Sequence, residues 1–145
     1  MIARHLAQLA LKVRTMRILV IDDDTKLTDL LQLVFESKGF GVTIANSGVQ
    51  ALESLETELP EAVLLDLMMP GMSGLEVCQR IRANPRTSNV PVVVLTAKTG
   101  TKSKQELLKA GATDYLVKPV PLNDLVSRIG ALVANTGPPA ATVLT

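Results

Sequence analysis

The apolar residues of this chain follow two patterns that take turns along it. Short continuous runs at 18–21, 62–65 and 92–95 have the length and density of strands buried on both faces, and residues 42–45 and 114–117 read as two further strands. Between them, apolar residues recur at helical spacing. Leu27, Leu30, Leu31, Val34 and Phe35 mark a first helix, and Ala51, Leu52 and Leu55 a second that Ser47 is placed to cap. Leu75, Cys78 and Ile81 mark a third helix, ended by Asn84-Pro85, and a fourth stops near Ala110. Pro121 opens a fifth, which carries Leu122, Leu125, Val126, Ile129, Leu132 and Val133. Gly39 and Gly111 stand where left-handed helix ends are expected, and residues 70–74 read as a loop. Five strand–helix units joined by short connections predict an α/β fold, a doubly wound five-stranded parallel sheet with helices on both faces.

The ends of the chain fit this frame less well. Ile2, Leu6, Leu9 and Val13 are at helical spacing, so residues 1–16 read as an extension with a short amphipathic segment; residues 17–134 form the domain, and 135–145, with Gly137-Pro138-Pro139, read as a tail or linker stub. Among residues 1–15 there are three basic and no acidic side chains, whereas the remaining 130 residues carry 12 basic and 14 acidic ones. The net charge of +1 argues against a nucleic-acid surface spread over the domain, so no direct nucleic-acid partner is expected. The single cysteine, Cys78, excludes an intrachain disulfide and is read as core; with no apolar run of membrane-spanning length, a cytoplasmic protein is expected.

Sites in doubly wound sheets form at the carboxyl ends of the strands. The first strand is followed by Asp22-Asp23-Asp24, the third ends in Asp66, the fourth in Thr96, and the fifth is followed by Lys118-Pro119. Carboxylates gathered this closely repel one another, and a hard cation such as Mg²⁺ relieves that repulsion. A lysine and a hydroxyl beside them suit phosphoryl transfer to a carboxylate, with Asp66 as nucleophile.

Four blocks, Ile-Leu-Val-Ile-Asp-Asp-Asp, Leu-Leu-Asp-Leu-Met-Met-Pro-Gly-Met-Ser-Gly, Val-Val-Leu-Thr-Ala and Gly-Ala-Thr-Asp-Tyr-Leu-Val-Lys-Pro, occur in the order and spacing of the response-regulator receiver domains of two-component signalling systems. The resemblance runs from about Arg17 to Ala134. It implies a flavodoxin-like (βα)5 fold and a phosphoacceptor role for Asp66. It places Mg²⁺ on Asp22, Asp23, Asp66 and the backbone carbonyl of Met68, makes Thr96 and Lys118 phosphate partners and Tyr115 an aromatic switch, and puts a cis peptide at Lys118-Pro119. Asp24 is read as a helix cap rather than a ligand. The implied function is to accept a phosphoryl group from a histidine kinase or phosphotransfer protein and to switch protein contacts through the fourth helix, fifth strand and fifth helix. The partners implied are a downstream protein effector or an output domain absent from this chain; a phosphorylation-dependent homodimer is a further expectation. A signalling domain, not an enzyme, is expected, one that promotes only its own phosphorylation and slow dephosphorylation. Met68 and Lys98, two positions after Asp66 and Thr96, flank the path of the hydrolytic water in the family; neither helps that water here, which implies a long-lived phosphorylated state.

Other readings fit less well. Phosphatases with an aspartate nucleophile carry a second acid two residues on, where this chain has Met68. A flavodoxin-like cofactor binder lacks support: the aromatic residues are Phe35, Phe40 and Tyr115, and no Gly-rich loop follows the first strand. A receiver-like docking module without phosphorylation does not call for so complete a set of site residues. Met68, Met69 and Met72 are open between a contact surface and loop packing.

Overall fold

A computed structural model describes residues 15–97 and 101–135. The extension before Thr15, the tail after Asn135 and Lys98 lie outside the described residues.

Strands β1 (Arg17–Ile21), β2 (Gly41–Ala45), β3 (Ala62–Asp66), β4 (Val92–Thr96) and β5 (Asp114–Val117) alternate with helices α1 (Thr25–Ser37), α2 (Gly48–Thr57), α3 (Gly74–Ala83), α4 (Thr101–Lys109) and α5 (Leu122–Asn135). All pairings are parallel, in the order β2-β1-β3-β4-β5. This is the expected doubly wound sheet. The order reverses beside β1, so the chain leaves the carboxyl ends of β1 and β3 in opposite directions and opens a crevice there.

The continuous apolar runs are explained by burial on both faces. Ile18, Val20, Ala62, Leu64, Val93 and Leu95 face Leu31 and Phe35 of α1 and Leu125, Val126, Ile129 and Val133 of α5. Their alternates Leu19, Ile21, Val63, Leu65, Val92 and Val94 face Ala51 and Leu55 of α2, Val77, Cys78 and Ile81 of α3, and Leu107 of α4. Cys78 is core, as expected.

The helix ends follow local chemistry. Asp24 Oδ1 accepts the amides of Lys26 and Leu27, so Asp24 is the cap of α1; Ser47 accepts from Gln50 at α2, and Ser73 from Glu76 at α3. Gly39 and Gly111 have φ of +92° and +104° at the ends of α1 and α4, a backbone region that favours glycine. Two details differ from the sequence reading. Gly74 is the first residue of α3 rather than part of the loop, and α5 begins at Leu122, with the Pro121 carbonyl accepting the Leu125 amide.

Candidate functional site

The crevice between β1 and β3 collects the acids. Asp22 directly follows β1; its amide donates to the Ala45 carbonyl, and its own carbonyl accepts from the Asn46 side chain at 3.0 Å. Asp66 closes β3, in register with Leu95. Asp22 is 2% exposed and Asp66 6%, whereas Asp23 stands in solvent at the mouth. One carboxylate oxygen from each of Asp22, Asp23 and Asp66 lies within 4.8 Å of the others. The donor set is all hard oxygen with one side open to water, which fits Mg²⁺.

Lys118 reaches the same crevice from beyond β5. Its amide donates to the Thr96 carbonyl at 2.8 Å, and the Lys118–Pro119 peptide is cis. Its ammonium lies 3.2 Å from Oδ1 of Asp66 and 3.5 Å from Oδ2 of Asp22. Burial disfavours the ammonium, but the charge of Asp22 and the hydrogen bond and charge of Asp66 outweigh this and hold Lys118 above its ordinary pKa. Asp22 is also raised, foremost by burial, with the Asp66 charge adding to it; the Asp24 amide, donating to Oδ1 at 3.0 Å, and Lys118 pull the other way. Three carboxylates share one ammonium, so the crevice is short of positive charge even with Lys118 in place.

Thr96 ends β4 beside Val117 and is buried at the same rim. Tyr115 sits apart from the acids. It is half-buried on the face that carries α4, with the Lys104 ammonium 5.6 Å from the centre of its ring. The methionines after Asp66 divide: Met69 is buried, Met72 packs against the core, and the Met68 side chain is 57% exposed next to the acids.

Sequence reasoning missed two supports of this site. A Cβ on Gly74 would run into the Asp66 carbonyl oxygen and come 2.7 Å from Cα of Leu67, while the Gly74 amide donates to the Leu67 carbonyl. Only a glycine lets α3 start this close behind Asp66, and its place directly after a capping serine was the available signal. Asn46 supports Asp22 through a contact 24 residues away in sequence, which local pattern does not reveal.

Comparison with known proteins agrees with this geometry. Residues 18–130 match the family described as the response regulator receiver domain. Over 125 residues the chain is 45% identical to the DNA-binding response regulator MtrA of Mycobacterium tuberculosis, covering 86% of this chain and 54% of that protein. It is 42% identical over 123 residues to the response regulator MprA of Mycobacterium leprae, covering 85% and 53%. The chain thus spans about half the length of the curated relatives it matches. Among solved structures, the receiver domain of the Francisella response regulator 1452 superposes with a TM-score of 0.79 at 33% identity, covering 85% of this chain and all of that one. The chemotaxis protein CheY4 of Vibrio cholerae gives 0.79 at 26% identity, covering 82% and 99%. This chain belongs to the response regulator receiver domain family of two-component signalling systems.

Proposed function

We propose that Asp66 accepts a phosphoryl group from a phosphohistidine donor and that the phosphorylated domain signals through the surface of α4, β5 and α5. The observation that carries this reading is the placement of Asp22, Asp23, Asp66 and Lys118 around one crevice at the switch point of the sheet. An oxygen of Asp66 attacks phosphorus, the P–N bond breaks with its electron pair passing to the imidazole, and a P–O bond to the carboxylate forms. The Lys118 ammonium, already within hydrogen-bond reach of Asp66, takes a phosphoryl oxygen, and the Thr96 hydroxyl takes another. Asp22, Asp23, Asp66 and the Met68 carbonyl would hold Mg²⁺, which would supply the positive charge that the crevice lacks.

A groove of about 440 Å³ beside Lys118 has apolar walls that include Leu27, Pro119, Val120 and Leu122. It suits a protein donor, a histidine kinase or phosphotransfer protein, docking next to the acceptor. Tyr115 and Thr96 are the switch: Thr96 moves toward the phosphoryl group, and Tyr115 follows on the α4 face. Effectors, a second copy of the chain or an output domain read the change. Residues 17–134 carry this activity in the cytoplasm, with residues 1–16 and 135–145 outside it. The relatives named DNA-binding extend well beyond the matched region, so contact with DNA is assigned to none of the residues described here.

The test is labelling by acetyl phosphate. Incorporation that requires Mg²⁺ and disappears in Asp66→Asn supports the reading; equal incorporation by the variant or without metal contradicts it.

A further inference from the structure

The acids lie at the carboxyl ends of the strands, and the amino ends of β4 and β5 hold a second polar centre built on Arg82. From α3 its guanidinium reaches two connections at once. Nε donates to the Gly111 carbonyl at 2.8 Å, and one terminal nitrogen donates to the Thr113 hydroxyl at 3.2 Å. The other donates to the carbonyls of Val90 at 2.6 Å and Ser88 at 3.2 Å. Thr113 in turn accepts the Val92 amide through its hydroxyl and donates its own amide to the Val92 carbonyl. The aliphatic stem of Arg82 occupies the space a side chain on Gly111 would need, since a Cβ there would lie 2.5 Å from Cγ of Arg82.

This centre holds one end of α4. The helix finishes at Lys109, and its last turn closes through the Ala110, Gly111 and Ala112 amides onto the Glu106, Leu108 and Leu107 carbonyls. The Cys78 thiol adds a contact to the Ala110 carbonyl at 3.5 Å. Leu107, 2% exposed, also lies in this last part of the helix. Toward the site, among the described side chains from Ser103 to Glu106, none is apolar and none is buried, and Lys104 lies over the Tyr115 ring. A helix anchored strongly at one end and weakly at the other responds to a push by turning about the anchored end.

We propose that Arg82 is the fulcrum of α4, fixing the Gly111–Thr113 turn so that a change at Asp66 swings the end of α4 that packs on Tyr115 instead of displacing the whole helix. The inference rests on the switching surface proposed above. Arg82 is a positioning residue. It touches neither the acids nor any group they bind, and acts by giving α4 a fixed point against which movement of Thr96 and Tyr115 is converted into rotation. Without that tie the helix loosens at both ends, and its position no longer reports the state of Asp66.

The chain has a single tyrosine and no tryptophan, so its intrinsic fluorescence reports Tyr115 alone. In the full chain with Mg²⁺, ¹⁹F NMR follows beryllofluoride binding and tyrosine fluorescence follows the response. Arg82→Met, which keeps an aliphatic stem over Gly111 but removes the donors, is expected to bind beryllofluoride as the wild type does. Its Tyr115 response should fall by half or more, and amide exchange at residues 107–113 should rise several-fold. Arg82→Lys, which reaches fewer acceptors, should fall between the two. A full Tyr115 response in Arg82→Met, or exchange at 107–113 equal to wild type, overturns the proposal even if the variant melts earlier. A wild type that binds beryllofluoride with no change at Tyr115 sinks the switching surface itself, a separate failure.

Discussion

The Lys118 ammonium lies 3.2 Å from Oδ1 of Asp66 and 3.5 Å from Oδ2 of Asp22, so a cation from beyond β5 bridges the ends of β1 and β3. The bridge ties three strands at the rim where the proposed transfer would develop charge. Replacing Lys118 by Ala should slow phosphorylation by acetyl phosphate by about 100-fold or more, the usual effect of losing one preorganised donor to a developing oxyanion. The variant should still bind Mg²⁺, because no ligand is removed. The pairing raises Lys118 above its ordinary value of 10.5, so its contribution to stability is present in full below that pH and is lost as pH rises through the folded pKa. Wild type and Lys118→Ala should therefore differ in melting temperature at neutral pH and converge in strong alkali. Parallel melting curves at all pH values would contradict the bridge.

Asp23 differs from its neighbours in being exposed, and its removal should separate metal binding from folding. Asp23→Ala is expected to weaken Mg²⁺ binding sharply, because a site with few protein ligands loses one. In EDTA the same variant should melt slightly higher than wild type, since one like charge leaves the rim. Calorimetric titration and thermal melts read both effects, and unchanged Mg²⁺ affinity would remove Asp23 from the site.

Much of this was legible in the sequence because the sheet is buried on both faces. The apolar runs of β1, β3 and β4 cannot stay in water, and each leads to the residue it delivers to the rim: Asp22, Asp66 and Thr96. The caps were legible for a similar reason: Asp24 and Ser47 satisfy amides two or three residues away, a local event. Leu30 shows where periodicity overreaches. It shares the helical spacing of Leu31 and Phe35 but is 44% exposed, because the stripe of α1 that meets the sheet is narrower than its apolar arc. Arg82 was not legible at all. Its acceptors lie in the α3–β4 and α4–β5 connections and come together only once the sheet has formed.

Gly74 gives a stability test of how the acceptor strand is supported. In Gly74→Ala the new methyl meets the backbone of Asp66 and Leu67, which are part of the sheet and its exit and yield little. The expected cost is about 1–3 kcal/mol, as for other overpacked sites, together with slower phosphorylation as Asp66 is displaced. Urea denaturation measures the first and acetyl phosphate labelling the second. A variant as stable and as reactive as wild type would show that α3 can move away from Asp66.

Met68 gives a test of how long the proposed phosphorylated state would last. Its side chain stands 57% exposed two residues after Asp66 and has no group to orient or deprotonate a water. Met68→Asn and Met68→Glu should speed loss of phosphate from the purified phosphoprotein relative to wild type. If neither does, the lifetime is set elsewhere.

The central claim, that Asp66 is the acceptor, is tested most directly by locating the bond. Borohydride reduces an aspartyl phosphate to homoserine and leaves free aspartate intact. After Mg²⁺ and acetyl phosphate, then borohydride, peptide mass spectrometry should find homoserine at position 66, with Asp22, Asp23 and Asp24 unchanged. Homoserine at any of those three in place of position 66, or at no position while the protein carries phosphate, would contradict the account.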